Sequence, residues 1–196
     1  MRNPAPGLAR IMIVLAGLLL AACDSADSPP VTRVAGQSLP AFSVKDHDNR
    51  LKPFIRPETP LLVLNIWAIW CPPCRVEMPS LQRLADAGFP IMGLAVENDA
   101  YLLDEFLRKY QIHFPVMRIA REEAETRLGL REYPLTLLLD SNGRILARLT
   151  GAFDWDDPRI KKLLLRLKQK QEIDISEIET IFRASQKAAA ERRQPP

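Results

Sequence analysis

Two cysteines three residues apart, in Trp70-Cys71-Pro72-Pro73-Cys74, are the side chains of this chain best suited to covalent chemistry. Residues 61–67 before them are a nearly continuous apolar run, which predicts a strand buried on both faces. Residues 75–87 after them have helical spacing (Val76, Leu81, Leu84) and a stop at Gly88. A cysteine pair at i and i+3 on a first helical turn shares one face and can close a disulfide. Cys71 falls at the helix N-terminus, where the dipole and free amides favour a thiolate. Thiolates are the attacking species in disulfide exchange, so Cys71 is the expected nucleophile and Cys74 the resolving thiol. Pro72 and Pro73 have no N–H to donate to that thiolate. The disulfide should therefore be more reducing than one with a Gly- or His-containing dipeptide between its cysteines.

Other uses of the pair compete poorly. Half of a zinc site needs partners, and beyond Cys23 the chain offers only His47 and His113. A purely structural disulfide of this spacing closes almost no loop and stabilises little. Neither a metal nor a cofactor is expected. The 196 residues suit one domain with attachments, and 47% hydrophobic content excludes wholesale disorder. A net charge of +3 is too small to argue for nucleic acid, and none is expected as partner.

The third cysteine belongs to another story. Arg2 and Arg10 precede residues 11–22, twelve residues without a polar side chain. That is short of the ~20 a membrane-spanning helix needs and fits a signal-peptide core. Leu20-Ala21-Ala22-Cys23 resembles the bacterial lipobox, which implies cleavage of residues 1–22 and lipidation of Cys23. An ordinary secretory leader with Cys23 as a free thiol is the alternative. Asp24 resembles the signal that keeps lipoproteins at the inner membrane. Residues 23–33, rich in Asp, Ser and Pro, read as a lipid-anchored linker.

The elements that must position the cysteines follow in order. Residues 41–51 suggest a small hairpin, 91–96 a second buried strand, and 101–110 a helix. A strand at 114–119 and a helix at 122–128 come next. Strands at 135–139 and 144–149 are joined by the turn Asp140-Ser141-Asn142-Gly143. Residues 160–167 form an amphipathic helix. Strands alternating with helices predict an α/β fold with a mixed central sheet flanked by helices. Residues 34–170 form this domain, and 171–196 a helical or flexible extension. In the extension, Ser176 with Glu179 reads as a capping box. Residues 159–170 carry six basic residues and no acid, read as a solvated helix face that could also touch anionic headgroups.

The segment Asn65-Ile66-Trp67-Ala68-Ile69-Trp70-Cys71-Pro72-Pro73-Cys74-Arg75-Val76-Glu77-Met78-Pro79 resembles the active-site segment of the TlpA/ResA/CcmG branch of thioredoxin-like proteins. Over residues 34–167 the resemblance implies a thioredoxin-like fold with an N-terminal hairpin and an insert between Ile91 and Pro115. Pro79 resembles the family's helix-kinking proline. Pro134, after Tyr133, resembles the cis-proline that packs on the disulfide and guides substrate backbone. Glu77 resembles the family's signature glutamate, with a surface residue as the alternative. Thioredoxin has a buried Asp where this chain has Asn65, so another carboxylate must accept the Cys74 proton. Glu97 is the candidate, with Asp99 beside it. Tyr133 departs from the small or β-branched residues usual there.

The resemblance implies periplasmic reduction of disulfides in protein substrates, with electrons from a membrane thiol carrier. Family members commonly serve cytochrome c maturation. An oxidant or isomerase on the same fold is the first alternative. A peroxidase is suggested by the peroxiredoxin-like segment Gly36-Gln37-Ser38-Leu39-Pro40-Ala41-Phe42, but Cys71 lacks the setting that activates peroxide. A copper-binding module would need a third ligand, usually His.

The missing amides give a measurable expectation: the Cys71 thiol should titrate closer to neutrality than the ~3.5 of a strong oxidant. Thiolate absorbance followed against pH checks it, and a midpoint near that acidic value would refute it.

Overall fold

The computed structural model describes residues 31–32, 36–46 and 48–191. The leader, Cys23, Asp24 and His47 lie outside them. Strands β1 (Val31–Thr32), β2 (Ser43–Lys45), β3 (Leu51–Pro53), β4 (Leu61–Trp67), β5 (Ile91–Ala95), β6 (Val116–Arg118), β7 (Leu135–Asp140) and β8 (Ile145–Thr150) make one mixed sheet. Its order is β1-β8-β7-β4-β5-β6-β2-β3. β4, β5 and β6 run parallel, while β7 lies antiparallel to β4 on the other side. Every residue of central β4 is buried, which explains its unbroken apolar run. β8 alternates buried and half-buried residues, as a strand nearer the edge should. Edge strand β3 is wholly exposed and ends in Pro53, which has no amide to pair with another chain.

Helices α1 (Pro72–Asp86), α2 (Ala100–Lys109), α3 (Arg121–Arg127), α4 (Pro158–Lys168) and α5 (Ile175–Glu191) connect and flank the strands. The expected hairpin is β2–β3, and α2 fills the insert between β5 and β6. α1 begins at Pro72, three residues before the periodicity suggested, because proline is accommodated in a first turn that needs no donated bond. Pro79 sits inside it and removes the amide that would have bonded the Arg75 carbonyl.

The C-terminal extension is part of the packed molecule. α5 contacts α4, β1 and β8. Its Phe182 is buried with ring centroids 5.0 Å from Phe153 and 5.7 Å from Trp155. The capping side chain is Asp174, which accepts from Ser176 N at 2.8 Å; Ser176 does not cap, and Glu179 pairs forward with Arg183. Half of the basic stretch is paired, and Arg159, Lys162 and Lys170 are exposed as a solvated face would have them. Arg159 meets Asp157, Lys161 meets Asp156 and Arg166 meets Glu177.

Asp156 holds two elements at once, with Arg83 of α1 at 2.6 Å and Lys161 of α4 at 3.0 Å. Burial opposes its charge, but the hydrogen bonds from Lys161 and Arg83 outweigh that and keep its carboxyl below the ordinary range. A carboxyl with a lowered folded-state pKa stabilises above its unfolded value and ceases to do so as pH falls through the folded one. Asp156→Asn should therefore cost roughly 0.5–1 kcal/mol at neutral pH, given the partial exposure. The difference from the parent should shrink as pH falls below the ordinary carboxylate range and be lost once the folded-state carboxyl is protonated. Urea denaturation across that range reads both.

Candidate active site

The end of the sheet at which β4 and β5 finish carries the cysteines. There the chain leaves Trp67, turns through Ala68–Trp70 and enters α1, with Val96 N bonded to the Trp67 carbonyl at 2.7 Å. This is the end of parallel strands at which α/β sheets place their sites. Trp67 is buried against Phe106 of α2, ring centroids 5.0 Å apart. Gly93 of β5 makes room for its indole, since a Cβ there would lie 3.0 Å from Trp67 Nε1.

Cys71 is the N-cap of α1, in extended backbone, and Cys74 lies one turn in; their sulfurs are joined, with Cα atoms 5.3 Å apart. Both are buried. Pro72 and Pro73 supply no donors, so the amide that reaches Cys71 Sγ is that of Cys74, at 3.2 Å. That is one backbone donor in a first turn that could have offered three.

β7 approaches from the other side. Its register pairs Ile66 with Leu135 and Asn65 with Thr136, which sets Pro134 opposite the end of β4. The Tyr133–Pro134 peptide is cis. Tyr133 packs edge-on against Trp70 at 5.0 Å, and the Arg121 guanidinium lies 5.3 Å over the Trp70 ring. Trp70 is 50% exposed, so this aromatic pair forms the rim beside the disulfide. Tyr133 Oη is buried and has no protein partner among the described residues. Burial pushes its pKa up, with Arg121 opposing and Glu125 reinforcing.

The buried carboxylate is Glu77, and here the structure corrects the expectation for Glu97. Glu97 sits in the loop after β5, half-exposed, with Oε1 accepting from Asn98 N at 2.8 Å and Asp99 N at 2.9 Å. It shapes its own loop and is not buried beneath the cysteines. Asp99 is exposed and caps α2 through bonds from Tyr101 N and Leu102 N. Glu77 is 1% exposed, on the same face of α1 as Cys74 by its i+3 spacing. Its Oε1 accepts from Asn65 Nδ2 at 2.9 Å. Its Oε2 accepts from Phe153 N and Trp155 Nε1, both at 3.2 Å. Asn65 Nδ2 also reaches Thr136 Oγ1 at 2.9 Å, tying β4 to β7 beneath the site. The signal for Glu77 was present in its three-residue offset from Cys74, one turn along the same helix.

Arranged this way, the site can form, hold and break a disulfide at the rim of an aromatic surface, with a carboxylate one turn below. Among the described residues, no cluster of His, Cys, Asp or Glu is arranged to hold a metal.

Residues 34–164 match the family described as Redoxin. A thiol:disulfide interchange protein DsbE of Pseudomonas aeruginosa is 36% identical over 125 residues, 61% of this chain and 68% of that protein. A thiol-disulfide oxidoreductase ResA of Oceanobacillus iheyensis is 30% identical over 99 residues, 48% of this chain and 52% of that protein. A secreted thiol-disulfide isomerase from Corynebacterium glutamicum superposes with a TM-score of 0.61 at 19% identity, covering 74% of this chain and 95% of that one; it shares the fold.

Replacing Glu77 with Ala would leave Asn65 Nδ2 with only Thr136, and Phe153 N and Trp155 Nε1 unpaired in the interior. The expected loss is about 2–4 kcal/mol, with a smaller one for Glu77→Gln, whose oxygen still accepts from Phe153 N and Trp155 Nε1 while its NH2 group needs Asn65 to turn its unpaired Oδ1 inward. Denaturant midpoints of the oxidised proteins compare the two.

Proposed function

This chain belongs to the Redoxin family and is a thiol-disulfide oxidoreductase of the DsbE/ResA type, and from that premise we propose that it works as a reductant of disulfides in target proteins. The observation carrying this direction is the donor-poor cap of α1, where Pro72 and Pro73 leave Cys71 Sγ with the single amide of Cys74. A thiolate with few donors is less stabilised, and a dithiol that is less stabilised gives up its electrons more readily.

The Cys71 thiolate attacks one sulfur of a target disulfide, forming a mixed disulfide and releasing the first target thiolate. Glu77 takes the Cys74 proton, and the Cys74 thiolate attacks Cys71 Sγ. The Cys71–Cys74 disulfide forms and the second target thiolate leaves. Two electrons have passed from the protein to the target, and a membrane thiol carrier restores the dithiol. Pro134 and the Tyr133–Trp70 rim receive the target's backbone beside the sulfurs. Arg2, Arg10, the apolar run 11–22 and Cys23 support a lipid anchor at the inner membrane with the domain in the periplasm. The favoured targets are the cysteine pairs of apocytochrome c or of its chaperones.

Cys74→Ser removes the resolving thiol, so partners attacked by Cys71 should stay bound and be released by dithiothreitol. Cys71→Ser should trap none. Mass spectrometry of the complexes identifies the targets, while a dithiol equilibrium with glutathione gives the potential. A value more reducing than about −180 mV supports the reductant, and a more oxidising one favours the oxidant or isomerase.

A further inference from the structure

The family match ends at residue 164, yet α5 beyond it reaches the loop that holds Glu77. That loop, residues 151–157, is tied to Pro134 through the Gly151 amide and to α4 through Asp156, and its middle is held between α1 and α5. On one side it is bonded to α1: Phe153 N and Trp155 Nε1 to Glu77 Oε2, and Trp155 N to Ser80 Oγ at 3.2 Å. On the other it is bonded to α5. Ser185, fully buried, accepts from Asp154 N at 3.2 Å and donates to the Asp154 carbonyl at 3.3 Å. Gln186 Nε2 donates to the Thr150 carbonyl at 2.8 Å, where the loop leaves β8. At Gly151, with φ +90°, an added Cβ would run into Gln186 Nε2. Phe182 fills the space between, against Phe153 and Trp155.

We propose that α5 is a positioning element of the redox centre, in which Phe182 and Ser185 fix the 151–157 loop so that Phe153 N and Trp155 Nε1 stay aimed at Glu77. Two donors to this carboxylate come from that loop. Without α5 the loop keeps its bonds to α1, α4 and Pro134 but loses the packing of Phe182 and both bonds to Ser185 at its middle, where the two donors lie. Proton acceptance from Cys74 then changes, although neither Phe182 nor Ser185 touches a sulfur. The proposal rests on the reading of Glu77 as the proton acceptor in disulfide reduction.

The test is the rate at which the reduced full chain reduces insulin disulfides in a single turnover, from about pH 5 to about pH 9. Phe182→Ala and Ser185→Ala should each slow the reaction at neutral pH by roughly threefold to tenfold and displace the midpoint of its pH profile. Phe182→Leu should restore most of the rate. In a Glu77→Gln background neither substitution should change the rate or profile further, because the residues act through that carboxylate. A helix with only a structural role would lower the melting temperature and leave the midpoint where it is in the parent. That outcome, or an undiminished effect in the Glu77→Gln background, overturns the proposal. Ser185→Ala removes one hydroxyl and decides the matter if Phe182→Ala fails to fold. A parent chain that does not reduce insulin instead overturns the functional reading itself.

Discussion

A carboxyl group sealed from water must be hydrogen-bonded from several directions, and satisfying Glu77 organises much of this molecule. An unpaired charge in such a place would cost several kcal/mol, more than most domains can spare. Its partners come from two segments far apart in sequence: Asn65 on β4, and the 151–157 loop with the Phe153 amide and the Trp155 indole. Each of these is held in turn. Asn65 is steadied by Thr136 across the β4–β7 register, and the loop carrying Phe153 and Trp155 is anchored by Ser80 and by α5. The disulfide therefore rests on a polar network spread through the core, and the Trp70–Tyr133 pair lies at its outward rim.

Much of the frame could be read in the residues. The apolar run at 61–67 coincides with β4, and Asp140-Ser141-Asn142-Gly143 does join two strands, because period and turn chemistry are local properties. The cysteine pair was legible from its spacing, and the resemblance pointed to Pro134, whose peptide is cis. The burial of Glu77 was not legible. A glutamate on a helix reads as solvated until something covers it, and what covers it is a loop 76 to 78 residues further on. One of its donors is a backbone amide, which leaves no trace in residue type. Glu97 drew attention for the opposite reason. An acid after a buried strand looks well placed in sequence, but its carboxylate is taken by amides of its own loop.

Charge in the C-terminal third tells a similar story. Six basic residues without an acid among them suggested a solvated helix face that could also touch anionic headgroups. Three of them find counter-charges just outside that stretch, on Asp156, Asp157 and Glu177, close in space though beyond the run itself. Such pairs add little individually, but Asp156 joins α1 to α4 and so helps keep the cysteine-bearing helix in place.

The order of the chain gives the site a history. Cys71 and Cys74 leave the ribosome well before Phe153 and Trp155, and earlier still than Ser185. Until those later segments arrive, the two thiols are an ordinary pair at the head of a helix without its buried carboxylate bonded below. Contacts of such long sequence separation form late and slowly. The same sulfurs thus exist for a time without the hydrogen-bonded network beneath them, which is complete once the last helix has packed on the 151–157 loop.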